Sequence, residues 1–334
     1  MFDYFKKKFH APTSCRLEAC SLCQLNCRTC PMRLNNSGKI GNGYLTAKNF
    51  EKFINLNPTI KEIELSNNGE IFLNPELVDI MRIAYEKHVD IHAYNGVNFN
   101  NVKDEVIDAL VKYDFRIIHF SIDGASNESY GKYRINGNFD RVIENIKKLN
   151  ETKKKYGKDF PIMRWQYVIL PYNSSIEEIR KAKDMAKDLG MEIYFKKDWR
   201  NFIPKNVKEV EKETNLLYEE GTLLSNWEER WVPCTEVLFN PQVNWDGRFL
   251  GCCNLIDEIY DLNAFELSLE EILNSKEIKD VVKLVMGKYH GKEKAKTSKC
   301  YTCWFYADLC KTKKFITKKE FLLNEKRYTR KDNK

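Results

Sequence analysis

Hydrophobic and polar positions along the first 200 residues alternate between two patterns. Short strand-like apolar runs recur six times, and longer segments with the helical period lie between them. The runs span residues 15–19, 63–66, 91–94, 117–122, 163–170 and 193–195. Strand–helix units in series predict a parallel sheet with helices outside it. Because six units are two short of a closed eight-unit barrel, we predict an α/β fold: an open, partial (β/α)6 TIM-like barrel, with its functional groups at the C-terminal ends of the strands.

Local signals mark the ends of some of these helices. Asn74 followed by Pro75 predicts a helix that begins there, with asparagine as N-cap and proline in the first turn. Ser174 or Ser175 is the predicted N-cap of a later helix, which Gly190 terminates. After Trp199 the repeating pattern weakens. We therefore divide the chain into an N-terminal extension (1–12), the barrel (13–204), a helical connector (205–230), a small cysteine-rich domain (231–312) and a basic tail (313–334).

Two strands of the predicted barrel carry polar residues at alternate positions. His119 lies two residues before Ser121, so both side chains point to the same face, which we expect to be the barrel interior. Arg164 and Gln166 share one face of the next strand, and the sequence leaves open which face lines the lumen.

The cysteine content of the chain is high and unevenly distributed. Of eleven cysteines in 334 residues, five lie before residue 31 and six lie between residues 234 and 310. A secreted disulfide scaffold would be shorter and more evenly cross-linked. The sequence shows no signal peptide and no apolar stretch near the ~20 residues needed to span a bilayer. We therefore expect a cytoplasmic protein with no membrane contact, whose clustered cysteines bind metal.

The net charge of +7 describes only one end of the chain. Residues 311–334 contain ten basic and three acidic residues, so the preceding 310 residues are neutral overall. Such a tail could bind nucleic acid or an acidic partner. A solvated, mobile tail is the commoner role, so we do not expect nucleic acid as a partner.

The first cysteine group has the spacing C-x3-C-x2-C at Cys23, Cys27 and Cys30, in the loop after the first predicted strand. Three thiolates on one short loop can hold three irons of a cuboidal iron–sulfur cluster and leave the fourth iron open to another ligand. A zinc site would require a fourth protein ligand, which Cys20 or Cys15 could supply.

This motif, after the first strand of a partial barrel, resembles the radical SAM superfamily, and the likeness extends over roughly residues 13–200. The segment 68–71, Asn-Gly-Glu-Ile, resembles the family's Gly-Gly-Glu-Pro motif, although Asn68 and Ile71 depart from it. Residues 95–96 are similar to the family's Asn-Gly turn. Residues 121–125, followed by Tyr133 and Arg134, resemble the segment that contacts the ribose and the methionine carboxylate. The resemblance implies S-adenosylmethionine (SAM) contacts at Gly69, Glu70, Asn95, Ser121 and Arg134.

The resemblance also implies the cofactors and the reaction. It implies one 4Fe–4S cluster on the first cysteine group, and SAM that is cleaved reductively to a 5′-deoxyadenosyl radical. This radical abstracts a hydrogen atom from a carbon of the substrate. A protein reductant such as flavodoxin or ferredoxin is the implied electron source. The sequence identifies no further catalytic residue.

The second cysteine group has the pattern C-x12-G-x4-C at Cys234, Gly247 and Cys252, followed by Cys300 and Cys303. It resembles the SPASM/twitch extension of radical SAM enzymes, whose full form continues with further cysteines and binds two auxiliary clusters. Too few cysteines remain here for two clusters. The resemblance therefore implies one auxiliary 4Fe–4S cluster on these four thiols, with a structural zinc site as the alternative.

Two cysteines of this region remain unassigned. Either Cys253 or Cys310 could replace a chosen ligand or donate a hydrogen atom, and either could be a small buried hydrophobic residue.

Three functions remain open at the level of the sequence. We expect dehydrogenation or epimerisation of a small molecule of the sugar or aminocyclitol type, because about a dozen residues precede the first strand and leave no room there for a leader-peptide recognition domain. The first alternative is a maturase of ribosomally made peptides or of sulfatases. The second, from a different class, is a non-catalytic zinc protein that binds nucleic acid.

Overall fold

The computed structural model describes residues 8–30, 32, 39–198, 200, 202–218, 233–253 and 260–321. Most of the predicted N-terminal extension, the connector beyond residue 218 and the tail beyond residue 321 lie outside the described residues. Within the described ranges, no helix combines the length and the apolar character that a membrane crossing requires.

Six parallel strands in chain order form the main sheet, as the alternating pattern predicts. They are β1 (Ser14–Leu17), β2 (Glu62–Glu64), β3 (Asp90–Val97), β4 (Ile117–Ser121), β5 (Ile162–Ile169) and β6 (Glu192–Lys197). Each strand pairs with the next one along the chain. Because all six run in the same direction, their C-terminal ends meet at one edge. The predicted α/β fold of a partial barrel is confirmed.

A hairpin from the cysteine-rich region extends this sheet beyond β1. Its strands are β7 (Gln242–Val243) and β8 (Phe249–Gly251), which pair antiparallel around a turn that contains Asp246 and Gly247. Strand β7 also pairs in parallel with β1, where Arg16 is the register partner of Gln242. In the described part of the chain the sheet therefore has eight strands, in the order β6-β5-β4-β3-β2-β1-β7-β8. The sequence pattern did not predict this sharing of one sheet.

Helices connect the parallel strands and surround the C-terminal cysteines. Those between β1 and β6 are α1 (Ala47–Leu56), α2 (Leu77–Glu86), α3 (Asp104–Lys112), α4 (Asn127–Tyr133), α5 (Phe139–Tyr156) and α6 (Ile176–Asp188). The later ones are α7 (Val207–Thr214), α8 (Glu236–Phe239), α9 (Leu269–Leu273), α10 (Lys276–Val285) and α11 (Trp304–Thr312). Of the predicted helical connector, α7 is helical, and residues 215–218 that follow it are not.

The structure confirms the predicted start of one helix and not that of another. Ser175 is the N-cap of α6, since its side chain accepts a hydrogen bond from the backbone N–H of Glu178. The start predicted at Asn74 is wrong, because α2 begins at Leu77. The Oδ1 of Asn74 still accepts from the backbone N–H of Glu76 at 2.8 Å, and its Nδ2 donates to the carbonyl oxygens of Ala19 and Leu45 at 2.9 Å each. The Asn74 side chain therefore caps the turn that leads into α2 and also connects this turn to the barrel.

Alternate residues of each strand separate the helix-packed core from the barrel lumen. Phe120 on β4 packs against Phe99 with 4.9 Å between ring centroids, and Trp165 on β5 packs against Phe139 of α5 at 6.4 Å. These aromatic side chains are buried between the sheet and the helices.

The opposite face of the same strands lines the lumen. His119 and Ser121 of β4 lie on this face, as predicted from their spacing. Gln166 of β5 joins them, since its Nε2 donates to Ser121 Oγ at 3.3 Å. The question that the sequence left open for β5 is thus answered: Arg164 and Gln166 face inward and the aromatic residues face the helices.

The C-terminal region is held against the barrel by hydrogen bonds across long sequence separations. Asn274, after α9, accepts from the backbone N–H of Phe9 at 3.0 Å and donates to its carbonyl at 2.7 Å. The backbone N–H of Leu269 donates to the Asn57 side chain at 2.7 Å. Together with the shared sheet, these contacts fix the second cysteine group relative to the barrel.

Candidate functional site

The loop that carries the first cysteine group lies at the C-terminal edge of the sheet. Cys27 is buried, Cys30 is half-buried and Cys23 is exposed. The loop is anchored by the backbone N–H of Asn26, which donates to the carbonyl of Ile135 at 2.9 Å. The three thiols are therefore presented from one short segment that is hydrogen-bonded to the chain after β4.

Two nitrogen donors from other parts of the barrel reach the sulfur atoms of this loop. Arg134 Nη1 lies 3.6 Å from Cys27 Sγ, and Asn98 Nδ2 lies 3.7 Å from Cys23 Sγ. Burial raises the pKa of the Cys27 thiol, and the guanidinium of Arg134 opposes this effect. Such donors stabilise thiolate sulfur, the form that binds iron.

Arg134 also forms an ion pair with a buried carboxylate of the site. Its Nη2 lies 2.6 Å from Asp123 Oδ2, and its Nε donates to the same oxygen at 2.7 Å. Asp123 is fully buried, and its other oxygen accepts from the backbone N–H of Val168 at 2.8 Å. The pair holds the pKa of Arg134 well above its usual value despite the opposing effect of burial. The cation is therefore fixed in orientation beside the cysteine loop.

Glu70 is buried behind the same loop. One of its carboxylate oxygens accepts from the backbone N–H of Asn98 at 2.6 Å, and the other accepts from that of Phe72 at 3.3 Å. Burial raises the pKa of Glu70 to about 7, although these N–H groups favour the charged form. The segment that contains Asn98 thus connects Glu70 to the sulfur of Cys23.

Gly69 lies directly against the backbone that leads into the cysteine loop. A Cβ at this position would lie 2.6 Å from the carbonyl carbon of Ser21 and 2.7 Å from the carbonyl oxygen of Leu22. The backbone N–H of Glu70 donates to that same Leu22 oxygen at 2.8 Å. The close approach of the two segments therefore depends on glycine.

The last two predicted SAM contacts lie at the ends of β3 and β4. Asn95 is exposed, and its Nδ2 donates to Asn67 Oδ1 at 3.3 Å. Ser121 is buried beside Gly96, where a Cβ would overlap the Ser121 hydroxyl. Glu70, Ser121 and Arg134 thus all lie on the edge that carries the cysteine loop, and Asn95 is hydrogen-bonded to Asn67.

Several residues of this site were not predicted as functional. Asp123 belongs to a quoted motif, and its position two residues after Ser121 was the available signal. Asn98 and Glu18 carried no such signal. Glu18, at the end of β1, is fully buried, and burial raises its pKa to about 8. One of its oxygens accepts weakly from the backbone N–H of Gly69 at 3.4 Å, and the other has no hydrogen-bond partner.

The four cysteines of the second group line one cavity. Cys234, Cys252, Cys300 and Cys303 share its wall with apolar and aromatic side chains, which are Val237, Tyr260, Val281, Val285, Phe305 and Tyr306. Burial raises the pKa of Cys300 to about 11, and burial together with the neighbouring thiols raises that of Cys234.

Polar groups near these thiols are few. The hydroxyl of Tyr260 lies 3.6 Å from Cys300 Sγ. Cys253 lies outside the cavity wall beside Glu236, where burial raises its pKa to about 12 and the carboxylate contributes. Cys310 interacts with Tyr306, whose ring is part of the wall.

The thiols of neither cysteine group are arranged as ligands of one mononuclear metal ion. Within the described ranges, no three His, Cys, Asp or Glu side chains are arranged around one metal ion. In a cuboidal 4Fe–4S cluster each thiolate binds a different iron, so the thiols enclose a volume. The donor types and their placement around each site fit such a group.

Comparisons with known proteins concern the barrel and the overall fold. Residues 18–164 match the family model described as the radical SAM superfamily. A curated relative, "Mycofactocin maturase MftC" of Mycobacterium tuberculosis, is 25% identical over 151 residues, which are 45% of this chain and 37% of the relative. The match therefore spans well under half of that relative's length.

Solved structures of similar fold cover more of the chain. Streptococcus suis SuiB bound to the precursor peptide SuiA has a TM-score of 0.60 at 14% identity, over 81% of this chain and 67% of that chain. The structure of anSMEcpe with bound AdoMet has a TM-score of 0.56 at 16% identity, over 90% of this chain and 89% of that chain. At these identities the likeness describes the fold.

Proposed function

We propose, from the match of residues 18–164 to the radical SAM superfamily model, that the chain cleaves SAM reductively and abstracts a hydrogen atom from a carbon of its substrate. The superfamily implies a 4Fe–4S cluster and SAM as cofactors. We assign this cluster to Cys23, Cys27 and Cys30. The observation that carries the assignment is that Arg134 and Asn98, from two different parts of the barrel, each direct a nitrogen donor at a sulfur of this loop.

When bound, the reduced cluster supplies the electron that releases a 5′-deoxyadenosyl radical from SAM. The chain's own residues bind SAM and orient it. The guanidinium of Arg134, held by Asp123, suits a carboxylate, and the carboxylate of Glu70 suits an ammonium group. Glu70 is buried and Arg134 is half-buried, so water competes less with these interactions than it would at an exposed surface. The close contact at Gly69 keeps the segment of Glu70 against the cysteine loop.

We assign an auxiliary 4Fe–4S cluster to Cys234, Cys252, Cys300 and Cys303. The support is that all four thiols line one cavity of otherwise apolar side chains. Four protein ligands leave no iron open, which suits electron transfer or a structural role. A zinc ion on the same thiols is the competing assignment, and metal analysis of the purified protein separates the two.

For the substrate we propose a peptide. The curated relative is named as a maturase, and SuiB is described with a bound precursor peptide. A small molecule of the sugar or aminocyclitol type, as expected from the sequence, stays a prediction. Incubation of the holoenzyme with SAM, reductant and each class of compound compares them directly, since the true substrate increases formation of 5′-deoxyadenosine and is itself changed in mass.

The central test follows 5′-deoxyadenosine from SAM under anaerobic, reducing conditions. Wild-type protein is expected to form it, and Cys27→Ala is expected to abolish it. Cys310→Ala is the matched control, because this thiol is assigned to neither cluster, and it should retain the wild-type rate. Formation at the wild-type rate by Cys27→Ala would refute the assignment of the first cluster.

Cys20→Ala tests the zinc alternative at the first site. Cys20 is buried, and its Sγ lies 3.9 Å from the carbonyl oxygen of Leu22. If Cys20 were the fourth ligand of a zinc ion, its removal would release the metal. We expect instead that Cys20→Ala keeps the iron content of the wild type.

A further inference from the structure

A hydrogen-bonded group on β4, β5 and β6 lines the lumen beside Ser121, and Gln166 lies at its centre. Lys196 Nζ donates to Gln166 Oε1 at 2.6 Å, and the Tyr194 hydroxyl donates to the same oxygen at 2.7 Å. Since a lysine ammonium can only donate, the amide oxygen must face Lys196, which leaves Gln166 Nε2 to donate to Ser121. The Tyr194 hydroxyl also lies 2.8 Å from His119 Nδ1. The Lys196 ammonium is therefore held in one orientation.

The positive charge of Lys196 differs from the other cations of the lumen. Arg164 pairs with Glu192 at 2.8 Å, and Arg134 pairs with Asp123. Among the residues that the structure describes, no carboxylate lies within 4.0 Å of Lys196 Nζ. Its side chain packs over the Tyr194 ring, 5.4 Å from the centroid, and stays exposed to the open lumen. Only one of its three N–H donors is used by Gln166.

The acidic residues of the lumen are already engaged, Asp123 by Arg134 and Glu64 by backbone N–H groups. The two oxygens of Glu64 accept from the backbone N–H of Ser66 at 2.8 Å and from that of Tyr94 at 2.6 Å. Burial raises the pKa of Glu64. Burial lowers the pKa of Lys196, and the charge of Asp123 opposes this effect. Since no described carboxylate lies at ion-pair distance from Lys196, a bound molecule can supply one.

We propose that Lys196 is a carboxylate-binding residue of the substrate site, positioned by Gln166 and Tyr194. In the register of β5 and β6, Lys196 pairs with Val168, which lies two residues beyond Gln166 toward the C-terminal edge and on the same face of the strand. That edge carries Ser121 and the cysteine loop. The substrate is thus a peptide or small molecule that presents a carboxylate to β6 while its reacting carbon faces the cysteine loop. This inference rests on the proposed function, because it places the substrate in the same lumen.

A carboxylate could also come from the methionine part of SAM. Arg134 and Ser121 are the predicted partners of that group, and both lie nearer the cysteine loop along the chain order of the sheet. We therefore assign Lys196 to the substrate, and the experiment measures SAM binding separately.

The test uses the reconstituted full-length holoenzyme under anaerobic conditions with saturating SAM. N-acetyl-L-glutamate and its neutral analogue N-acetyl-L-glutamine are titrated by ligand-observed saturation-transfer NMR. Lys196→Gln is compared with Lys197→Gln, a matched control on the opposite face of the same strand, where Lys197 lies over the Tyr218 ring. Because a hydrogen bond to a charged group is stronger than one between neutral groups, we expect wild-type protein to bind the carboxylate at least about tenfold more tightly than the amide.

Lys196→Gln is expected to lose this preference, and Lys197→Gln is expected to keep it. Equal binding of the two compounds by wild-type protein, absence of binding, or a preference that survives in Lys196→Gln would overturn the proposal. SAM affinity is measured in the same variant. If it falls more than about fivefold in Lys196→Gln, about 1 kcal/mol, the lysine binds SAM and the proposal is also rejected. Formation of 5′-deoxyadenosine by wild-type protein is scored independently, so the proposed function can stand if the substrate assignment fails.

Discussion

The two cysteine groups of this chain differ in their surroundings more than in their sequence spacing. The first lies on a loop at the edge of the sheet, where Arg134 and Asn98 direct nitrogen donors at its sulfurs and a buried Asp123 holds the cation in place. The second lines a cavity among valine, phenylalanine and tyrosine side chains, with the Tyr260 hydroxyl as a polar neighbour.

These different surroundings indicate different roles: the first group suits a cluster that binds a reactant, and the second suits a cluster whose irons are all bound by the protein. Three thiols with fixed charged neighbours can hold a cluster and also receive a polar ligand with an ammonium and a carboxylate. Four thiols in apolar surroundings satisfy a cluster completely and exclude water, which tunes its potential. The comparison predicts that substitutions around the first group change SAM binding, and that those around the second group change a redox potential.

The largest effect is expected for Gly69→Ala. The added Cβ overlaps the backbone of residues 20–22, and that overlap forces the Glu70 segment away from the cysteine loop. We expect SAM affinity to fall at least about a hundredfold, about 2.7 kcal/mol, measured by anaerobic equilibrium dialysis. Gly131→Ala is the control, since a Cβ there meets no atom within 4 Å. Unchanged SAM binding by Gly69→Ala would show that Gly69 is not required for SAM binding at the first site.

Arg134→Gln is expected to lower both the affinity for SAM and the free energy of unfolding. It leaves the carboxylate of Asp123 buried without its cation, which costs about 3–5 kcal/mol of unfolding free energy. The double variant with Asp123→Asn removes the unpaired charge, so it should regain most of the stability measured by chemical denaturation.

SAM affinity distinguishes a binding role of Arg134 from a structural one. In the double variant it should stay low, because the cation that suits the SAM carboxylate is still missing. Recovery of SAM affinity together with stability would mean that Arg134 acts only through the fold.

Glu18→Gln tests the buried carboxyl beside Gly69 through its pH dependence. The folded pKa of about 8 lies above the value of 4.5 for an unburied glutamate. The folded state therefore keeps a proton that the unfolded state releases, and this contribution to stability is lost as pH rises from about 4.5 to about 8. We expect Glu18→Gln to match the wild type at pH 5 and to be more stable at pH 8.5, by a few kcal/mol at most. Parallel pH profiles of the two proteins would contradict this.

The smallest effect is expected at the second group. Tyr260→Phe removes a hydroxyl 3.6 Å from Cys300 Sγ. A hydrogen bond to a ligand sulfur stabilises the reduced cluster, so its loss should shift the auxiliary potential to a more negative value. Potentiometric titration followed by EPR measures this. A shift in the signal of the first cluster, with the second unchanged, would reverse the assignment of the two groups.

The sequence carried enough information to predict the sheet and both cysteine groups. Period and spacing are local properties, and they identify strands, loops and thiols directly. The start of α2 was misplaced by three residues: Asn74 accepts a hydrogen bond from Glu76 as a local cap does, but residues 75–76 form a turn before the helix begins at Leu77.

Contacts between residues far apart in the sequence explain the other differences between the prediction and the structure. Strand β7 joins β1 across more than 200 residues, so two regions predicted as separate domains share one sheet. Asn98 and Lys196 stand out only when their neighbours in space are known. Asn98 is adjacent to a thiol, and Lys196 lies in the lumen apart from the paired cations.

Iron content and the SAM response of single-site variants test the distinction between the two groups most directly. Reconstituted wild-type protein should hold about eight irons per chain, and Cys27→Ala and Cys303→Ala about four each. SAM should change the EPR spectrum of reduced Cys303→Ala, which keeps the open cluster, and leave that of reduced Cys27→Ala unchanged. A SAM-dependent change in Cys27→Ala, or zinc in place of iron in the wild type, would contradict the account.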